Sequence, residues 1–188
     1  MVARNRVLHY PIEIVGIFIA PEHRVFGQDK EDVSGEDLLS KEEVNLVADT
    51  GIEGDRFFRH RPDYNGHVTF FSQEVWDEVK QELNLPDSLG PELTRRNVIV
   101  SGVDLKALYG ASFEINGIQF VGTVHCAPCP AMNRAIGAGA TAALRGRGGL
   151  RAQLKSDGAL KIGLAELTTE VYFDAGDAAT QPKQIKLP

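Results

Sequence analysis

The chain has 188 residues, of which 43% are hydrophobic and 24% are charged. This length suits one sizeable domain, and this composition is typical of a globular protein that buries a core. No apolar run approaches the roughly 20 residues of a membrane-spanning helix. The segment Met1–Tyr10 lacks the apolar centre of a signal peptide, and two cysteines are too few for a secreted disulfide framework. We therefore expect a cytoplasmic protein that does not associate with membranes.

The net charge of −6 argues against broad nucleic-acid binding, but the charge is unevenly distributed. Residues 29–53 hold nine acidic residues and two lysines, which accounts for the whole negative balance. Residues 115–156 hold no acidic residue and five basic ones. Both cysteines, Cys126 and Cys129, lie in this acid-free segment. A positive field around thiols favours a small anionic ligand, although a buried, glycine-rich segment would also lack acids.

Turn residues divide the chain into short β-branched or apolar segments that are typical of strands. The pattern predicts strands at 12–20, 44–48, 67–71, 97–100, 112–115, 118–124, 151–154, 160–162 and 168–173. Asn116-Gly117 joins two of them and is the strongest hairpin signal in the chain. The acidic stretch 27–42 predicts a surface excursion, and residues 174–188 predict a loose tail.

Helical signals are fewer. Ser72 offers an N-cap oxygen for a helix that runs to about Leu83 with its apolar residues on one face. A second, short helix can begin at Pro130, and residues 140–144 can form a further helical turn. Many short strands with two or three helices predict a single β-rich α+β domain over residues 1–173, with a barrel at its centre.

The segment from Cys126 to Pro130 carries the strongest chemical signal. A helix that begins at Pro130 would make Cys129 its N-cap, where free backbone N–H groups and the helix dipole stabilise a thiolate. The thiolate is the form that attacks electrophiles and binds soft metals. Three other interpretations compete: a zinc site, which lacks further ligands at the usual spacing, a thioredoxin-like dithiol, which expects a βαβ context, and two inert buried thiols.

Arginines and glycines recur in three other segments. The loop from Gly51 to Arg56 either approaches a ligand closely or simply turns tightly, and Asp55 in it could orient Arg56. Arg95-Arg96-Asn97 stands directly before an apolar strand, where one arginine could bind a phosphate or both could lie at an exposed strand end. The segment 145–151 could wrap a phosphate with N–H groups and guanidinium groups, but it lacks the P-loop spacing.

Taken in this order, the segments resemble the MOSC domain, which is named for the C-terminal part of molybdenum-cofactor sulfurases. The likeness spans residues 12–163, and its matching stretches are 51–56, 95–102, 108–110, 126–129 and 148–152. It implies a MOSC-type β-barrel with a few peripheral helices, which agrees with the predicted strands. One departure is Leu164, which follows Gly163 where the family often has Asp.

The resemblance also implies roles for particular residues. Cys129 matches the reactive cysteine of the family, which ligates molybdenum held by a pyranopterin dithiolene in the members that reduce N-hydroxylated compounds. Arg95 matches a residue that contacts the cofactor phosphate, and Asn97 would shape the same pocket. Family position and local charge add Arg56, Arg147 and Arg151 as cofactor-binding residues. Asp55 and His125 are candidate proton donors, and Cys126 is a second thiol.

We therefore expect an enzyme that binds the molybdenum cofactor and reduces N–O bonds with electrons from a separate flavin or iron–sulfur protein. An alternative is a sulfur carrier that holds a persulfide on Cys129, with Cys126 as resolving thiol and a cysteine desulfurase as partner. A third is a pterin- or anion-binding module in which the thiols are incidental. The chain has no room for a pyridoxal-phosphate desulfurase domain, so we expect a stand-alone bacterial-type module without that cofactor.

Overall fold

A closed barrel of seven strands forms the centre of the protein in a computed structural model that describes residues 6–21, 38–61 and 63–172. Around the barrel the order is β1, β11, β7, β8, β9, β5, β6 and back to β1, while β2 pairs with the end of β1 and β10, β3 and β4 form a second sheet. The strands are β1 Leu8–Ile19, β2 Leu39–Lys41, β3 Glu43–Val47, β4 Gly51–Ile52, β5 Val68–Ser72, β6 Val98–Ser101, β7 Ser112–Ile115, β8 Ile118–His125, β9 Leu150–Leu154, β10 Gly158–Lys161 and β11 Gly163–Thr169.

The long first strand closes the barrel. Residues 8–14 of β1 pair with β11, and residues 13–17 pair with β6 across an irregularity between Ile14 and Gly16. A single strand therefore joins the first and last parts of the ring. The one parallel pair in the barrel is β5 and β6, which require a crossover because a tight turn joins only antiparallel neighbours.

That crossover contains the longest helix, α1 (Gln73–Glu82), followed by a 3-10 helix at Pro91–Thr94. The short helices α2 (Met132–Ala135) and α3 (Ala140–Ala143) lie between β8 and β9. Ser72 caps α1, because its Oγ accepts the N–H of Val75 at 3.1 Å. No helix in the described ranges is both long and apolar enough to cross a membrane.

Two apolar clusters share the strands between them. Successive side chains of a strand point to opposite faces, so Phe70 of β5 packs in the barrel interior while Phe71 packs outside it. In the interior, Phe113 and Phe120 stack at 5.3 Å between ring centroids. The outer cluster fills the space between the barrel and the helices, and Cys129 packs against it as a half-buried residue.

The structure confirms the predicted β-rich barrel, the cap at Ser72 and the Asn116-Gly117 hairpin. Asn116 and Gly117 have φ of +50° and +81°, as a tight hairpin turn requires, and they join β7 to β8. Residues 38–42 of the predicted excursion include strand β2, while its remainder up to residue 37 and the predicted tail lie outside the described residues.

Two local predictions are wrong. Helix α2 begins at Met132 with Ala131 as its N-cap, so Cys129 does not cap a helix that starts at Pro130. The carbonyl of Cys129 instead accepts the N–H of Met132 in a turn that precedes the helix. The last strand covers Gly163–Thr169 and not 168–173, because its register is set by pairing with β1 and β7.

Replacing Ser72 with Ala should lower the free energy of unfolding by about 1 kcal/mol, because the N–H of Val75 loses its acceptor. Urea titration measures this change. In the control variant Gln73→Ala, an exposed hydrogen bond to Asp77 is lost, and the change should stay below about 0.5 kcal/mol. Equal losses in both variants would show that the cap does not stabilise α1.

Candidate functional site

The two cysteines lie on a loop, residues 126–131, which we call the thiol loop. Cys126 is 2% exposed, and its N–H donates to the carbonyl of Gly149 at 2.8 Å. Cys129 is half-buried, and its carbonyl accepts from the Met132 N–H at 3.0 Å and the Thr141 hydroxyl at 3.1 Å. Both thiols are free. Cys129 is therefore the less buried of the two cysteines, on a loop whose backbone is held at both ends.

A buried guanidinium lies under the thiol loop. Arg96 is 8% exposed, and its Nη2 donates to the carbonyls of Cys126 at 3.2 Å and Ala127 at 3.5 Å. Its Nε donates to the carbonyl of Gly148 at 3.0 Å, and its Nη1 to that of Thr94 at 2.7 Å. Burial lowers the pKa of Arg96 from its ordinary value, whereas the nearby Cys126 thiol acts in the opposite direction. Arginine nevertheless stays charged in proteins, so the loop rests on a cation.

The glycine loop, residues 145–149, packs directly against the thiol loop. A Cβ on Gly148 would lie 2.3 Å from the carbonyl oxygen of Cys126, so only glycine fits there. The N–H of Gly148 donates to Nε2 of His125 at 3.0 Å. An accepting Nε2 places the proton of a neutral imidazole on Nδ1. Burial, followed by the charges of Arg96 and Lys106, lowers the pKa of His125.

His125 and Tyr109 both contact the glycine loop, His125 at Gly148 and Tyr109 at Gly149. The two rings meet edge to face at 6.3 Å, and the Tyr109 hydroxyl donates to the carbonyl of Gly149 at 3.4 Å. Burial raises the pKa of Tyr109, and the neighbouring Cys126 and Asp104 act in the same direction. Tyr109 and Gly149 line a cleft of about 200 Å³, together with Ser72, Glu74, Val75, Glu78, Val103, Asp104, Leu105, Lys106 and Arg147. Gly149 of this lining accepts the N–H of Cys126 in the thiol loop at 2.8 Å.

Asp55 and Asn97 form a buried polar connection between strands. Oδ1 of Asp55 accepts from the N–H of Ala20 at 3.1 Å and from Nδ2 of Asn97 at 3.2 Å, and Oδ2 accepts from the N–H of Phe57 at 3.0 Å. Oδ1 of Asn97 accepts from the N–H and the hydroxyl of Thr69. These contacts hold the ends of β1, β5 and β6 together. They support a structural role for Asp55 and Asn97 and give no support to proton donation by Asp55.

The four arginines that the sequence analysis selected as cofactor-binding residues have different surroundings. Arg147 donates to the Ala143 carbonyl at 2.6 Å and pairs with Glu78 at 2.9 Å and with Glu82 of α1, so an anion would have to displace two carboxylates. Arg56 lies over the ring of Phe57 at 5.0 Å.

Arg95 is half-buried and follows the 3-10 helix as its C-cap with φ of +58°. Arg151 is half-buried in β9 and donates to the Tyr64 hydroxyl at 3.0 Å. Its positive charge lowers the pKa of Arg96, in addition to the larger effect of burial.

Sequence reasoning missed Arg96, Gly148 and Tyr109 as parts of this site. No local signal selects Arg96, because Val98, Ile99 and Val100 of β6 are all buried and both faces of the strand are covered. For Gly148 the signal would be a glycine next to arginines, but its partner is the carbonyl of a residue 22 positions earlier, which no local pattern specifies.

The donor atoms fit a metal that takes a single protein ligand. Within the part of the chain that the structure describes, no three His, Cys, Asp or Glu residues form a metal-binding group. A pterin dithiolene brings two sulfurs of its own, so one soft protein donor completes that set. Cys129 would be such a donor, and the buried Arg96 beneath its loop would supply positive charge toward an anionic group.

Replacing Asn97 with Ala should lower the free energy of unfolding by about 2–4 kcal/mol, since buried groups on Thr69 and Asp55 lose their partner. Chemical denaturation measures this loss. The matched control is Asn45→Ala, which removes one exposed hydrogen bond to Glu53 and should change the value by less than about 0.5 kcal/mol. A loss at Asn97 no larger than in the control would contradict the structural role.

Acidification should destabilise the protein as the pH falls below 6.5, the ordinary pKa of histidine. Burial lowers the pKa of His67 and of His125 in the folded state, so the unfolded chain takes up protons first and is favoured. Urea unfolding at several pH values between about 5 and 8 measures the slope. His125→Gln should flatten it, because the variant lacks one of the two imidazoles whose pKa is lowered. An unaltered slope in His125→Gln would contradict a contribution of His125 to the loss of stability in acid.

Comparisons with solved structures agree with the barrel. The crystal structure of the YuaD protein from Bacillus subtilis superimposes with a TM-score of 0.63 at 19% identity, over 87% of this chain and 99% of that chain. YiiM from Escherichia coli has a TM-score of 0.57 at 14% identity, over 93% and 75% of the two chains. YiiM from Geobacillus stearothermophilus has a TM-score of 0.56 at 13% identity, over 89% and 78%. At these identities the likeness shows the fold.

The sequence comparison is more specific. No functionally curated protein matches the chain at a significant level. The sequence pattern of the MOSC domain, however, matches residues 40–177, well over half of the chain. That range contains the thiol loop, the glycine loop and Arg96. The chain therefore belongs to the MOSC domain family.

Proposed function

We propose that this protein binds the molybdenum cofactor and reduces N–O bonds of N-hydroxylated substrates, with the sulfur of Cys129 as the protein ligand of the metal. The observation that carries the proposal is the position of Cys129. It is the less buried of two free cysteines, and the buried Arg96 guanidinium holds the carbonyls of Cys126 and Ala127 in the same loop. A soft donor in a positive environment suits an anionic dithiolene cofactor.

The surrounding residues would bind and orient the cofactor. Arg95, at the C-cap of the 3-10 helix, is the residue that the family pattern assigns to the cofactor phosphate. Asn97 would act indirectly, because its side chain already bonds Thr69, Phe18 and Asp55. When bound, the cofactor supplies the two-electron chemistry of N–O reduction. The chain contains no Gly-x-Gly-x-x-Gly pattern and only two cysteines, so the electrons would come from a separate flavin or iron–sulfur protein in the cytoplasm.

The cleft beside Tyr109 is the candidate substrate site. Its volume of about 200 Å³ lies below the usual 300–1,000 Å³ of pockets for drug-sized ligands, which favours a small substrate. Its lining includes Tyr109 and Gly149, and the carbonyl of Gly149 accepts the N–H of Cys126 in the thiol loop. The Nδ1–H of His125 and the Tyr109 hydroxyl are the nearby groups that can hold a proton in their neutral forms.

The burial of Cys126 favours reduction over dithiol exchange. A sulfur carrier that resolves a persulfide needs the second thiol to reach the first, but Cys126 is 2% exposed and its N–H is bonded to Gly149. The persulfide alternative therefore has to operate with Cys129 alone. It predicts an added sulfur atom on Cys129 after incubation with a cysteine desulfurase and cysteine.

Protein made in a host that synthesises the cofactor should contain close to one molybdenum per chain, and Cys129→Ala should lose most of it because the metal loses its protein ligand. Elemental analysis by mass spectrometry measures the metal content. Cys126→Ala is the matched control and should keep its molybdenum. Equal molybdenum in the Cys129→Ala variant and the unaltered protein would discard the ligand assignment, and a sulfur adduct on Cys129 without molybdenum would support the carrier.

A further inference from the structure

The backbone of Gly148 is bound by a side chain at each of its polar groups. Its N–H donates to Nε2 of His125 at 3.0 Å, and its carbonyl accepts from Nε of the buried Arg96 at 3.0 Å. The guanidinium stays charged and keeps its donors at any ordinary pH, whereas an imidazole nitrogen accepts a hydrogen bond only while it carries no proton. Of these two bonds, the one to His125 is therefore the one that acid can break.

Gly148 also packs against the segment that carries Cys129. A Cβ on Gly148 would lie 2.3 Å from the carbonyl oxygen of Cys126 and 3.3 Å from Cδ of Pro128, the residue that directly precedes Cys129. The next residue, Gly149, accepts the N–H of Cys126 at 2.8 Å. The glycine loop thus supports the thiol loop by direct contact. A displacement of Gly148 would remove that support next to Cys129.

The surroundings of His125 favour its neutral form. The ring is half-buried at the end of β8 and meets the ring of Tyr109 edge to face at 6.3 Å. Burial raises the pKa of Tyr109, so this neighbour stays uncharged. The charged groups that act on His125 are Arg96 and Lys106, which are both cations and, after burial, lower its pKa. The bond to Gly148 therefore persists at neutral pH and is lost as the pH falls through this lowered value.

We propose that His125 is a positioning residue for Cys129: in its neutral form, with the proton on Nδ1, it holds the glycine loop against the thiol loop. Protonation turns Nε2 into a donor that faces the N–H of Gly148, so the hydrogen bond is replaced by two opposed donors. The inference rests on the proposed function for the role of Cys129. It adds that the site is assembled only while His125 is neutral.

Amide hydrogen exchange, followed by NMR on the full chain made in a host that lacks the cofactor, measures this bond. The protection factor of Gly148 should fall by about tenfold for each pH unit below the pKa of His125, because the neutral fraction falls by that factor. Amides in the pairing of β1 with β11 should remain protected, which shows that the barrel stays folded. In His125→Gln the Gly148 amide should stay protected, since the side-chain amide oxygen accepts the N–H and does not titrate.

Alkylation of Cys129 by iodoacetamide, located by peptide mass mapping, measures the consequence for the thiol. At about pH 8, His125→Ala should raise the rate about fivefold, because a lost hydrogen bond of ordinary strength shifts the loop population by about this factor and exposes a half-buried thiol. His125→Gln should restore the slower rate. The control is His9→Ala, which removes an exposed imidazole that faces Glu166 at 3.2 Å and should change neither readout. Circular dichroism checks that each variant folds.

The unaltered chain provides a further measurement that does not depend on a variant. Nitrogen NMR of the His125 ring distinguishes its tautomers, and a neutral ring with the proton on Nε2 would overturn the inference. So would a Gly148 protection factor that stays constant with pH. A Cys129 that reacts equally fast in His125→Ala and the unaltered chain would overturn the positioning role. A Cys129 that reacts in neither would instead overturn the proposed function at the thiol itself.

Discussion

The hydrogen bonds of the buried Arg96 guanidinium determine how the candidate site is assembled. One planar cation donates to carbonyls of three separate segments: Thr94 before β6, Cys126 and Ala127 in the thiol loop, and Gly148 in the glycine loop. Carbonyl acceptors satisfy its hydrogen-bond donors without cancelling its charge. The same contacts that order the thiol loop therefore leave a positive potential beneath it. Both the position of the loop and this potential depend on Arg96.

The barrel makes this arrangement possible. Strand β1 pairs with β11, β6 and β2 and so closes the ring, while the buried Asp55–Asn97 connection ties the start of β6 to the ends of β1 and β5. Arg96 immediately precedes Asn97. The buried hydrogen bonds of Asn97 therefore fix the backbone next to the guanidinium that holds the thiol loop. The close approach of Gly148 to Cys126 then packs the glycine loop, which leads into β9, against the thiol loop.

Much of the fold was predictable because its signals are local. The cap at Ser72, the hairpin at Asn116-Gly117 and most strand positions depend on residues a few positions apart. The start of α2 and the range of β11 were mispredicted, since a competing turn at Cys129 and cross-strand register decided them. For the site, Cys129 could be selected by the family pattern, and Arg151 by that pattern together with local charge. The role of Arg147 in cofactor binding stays a prediction, and its pairing with Glu78 and Glu82 of α1 could not be read from its sequence neighbours.

The amino-acid sequence by itself determined the barrel class, the family and the segment that holds the thiols, because periodicity, turn residues and motif order are properties of neighbouring positions. Only the tertiary structure decided which cysteine is less buried, which arginine is buried beneath its loop and which arginine is neutralised by carboxylates. Those distinctions depend on contacts between residues 30 to 69 positions apart, and charge counted along a chain does not show which opposite charges meet in space.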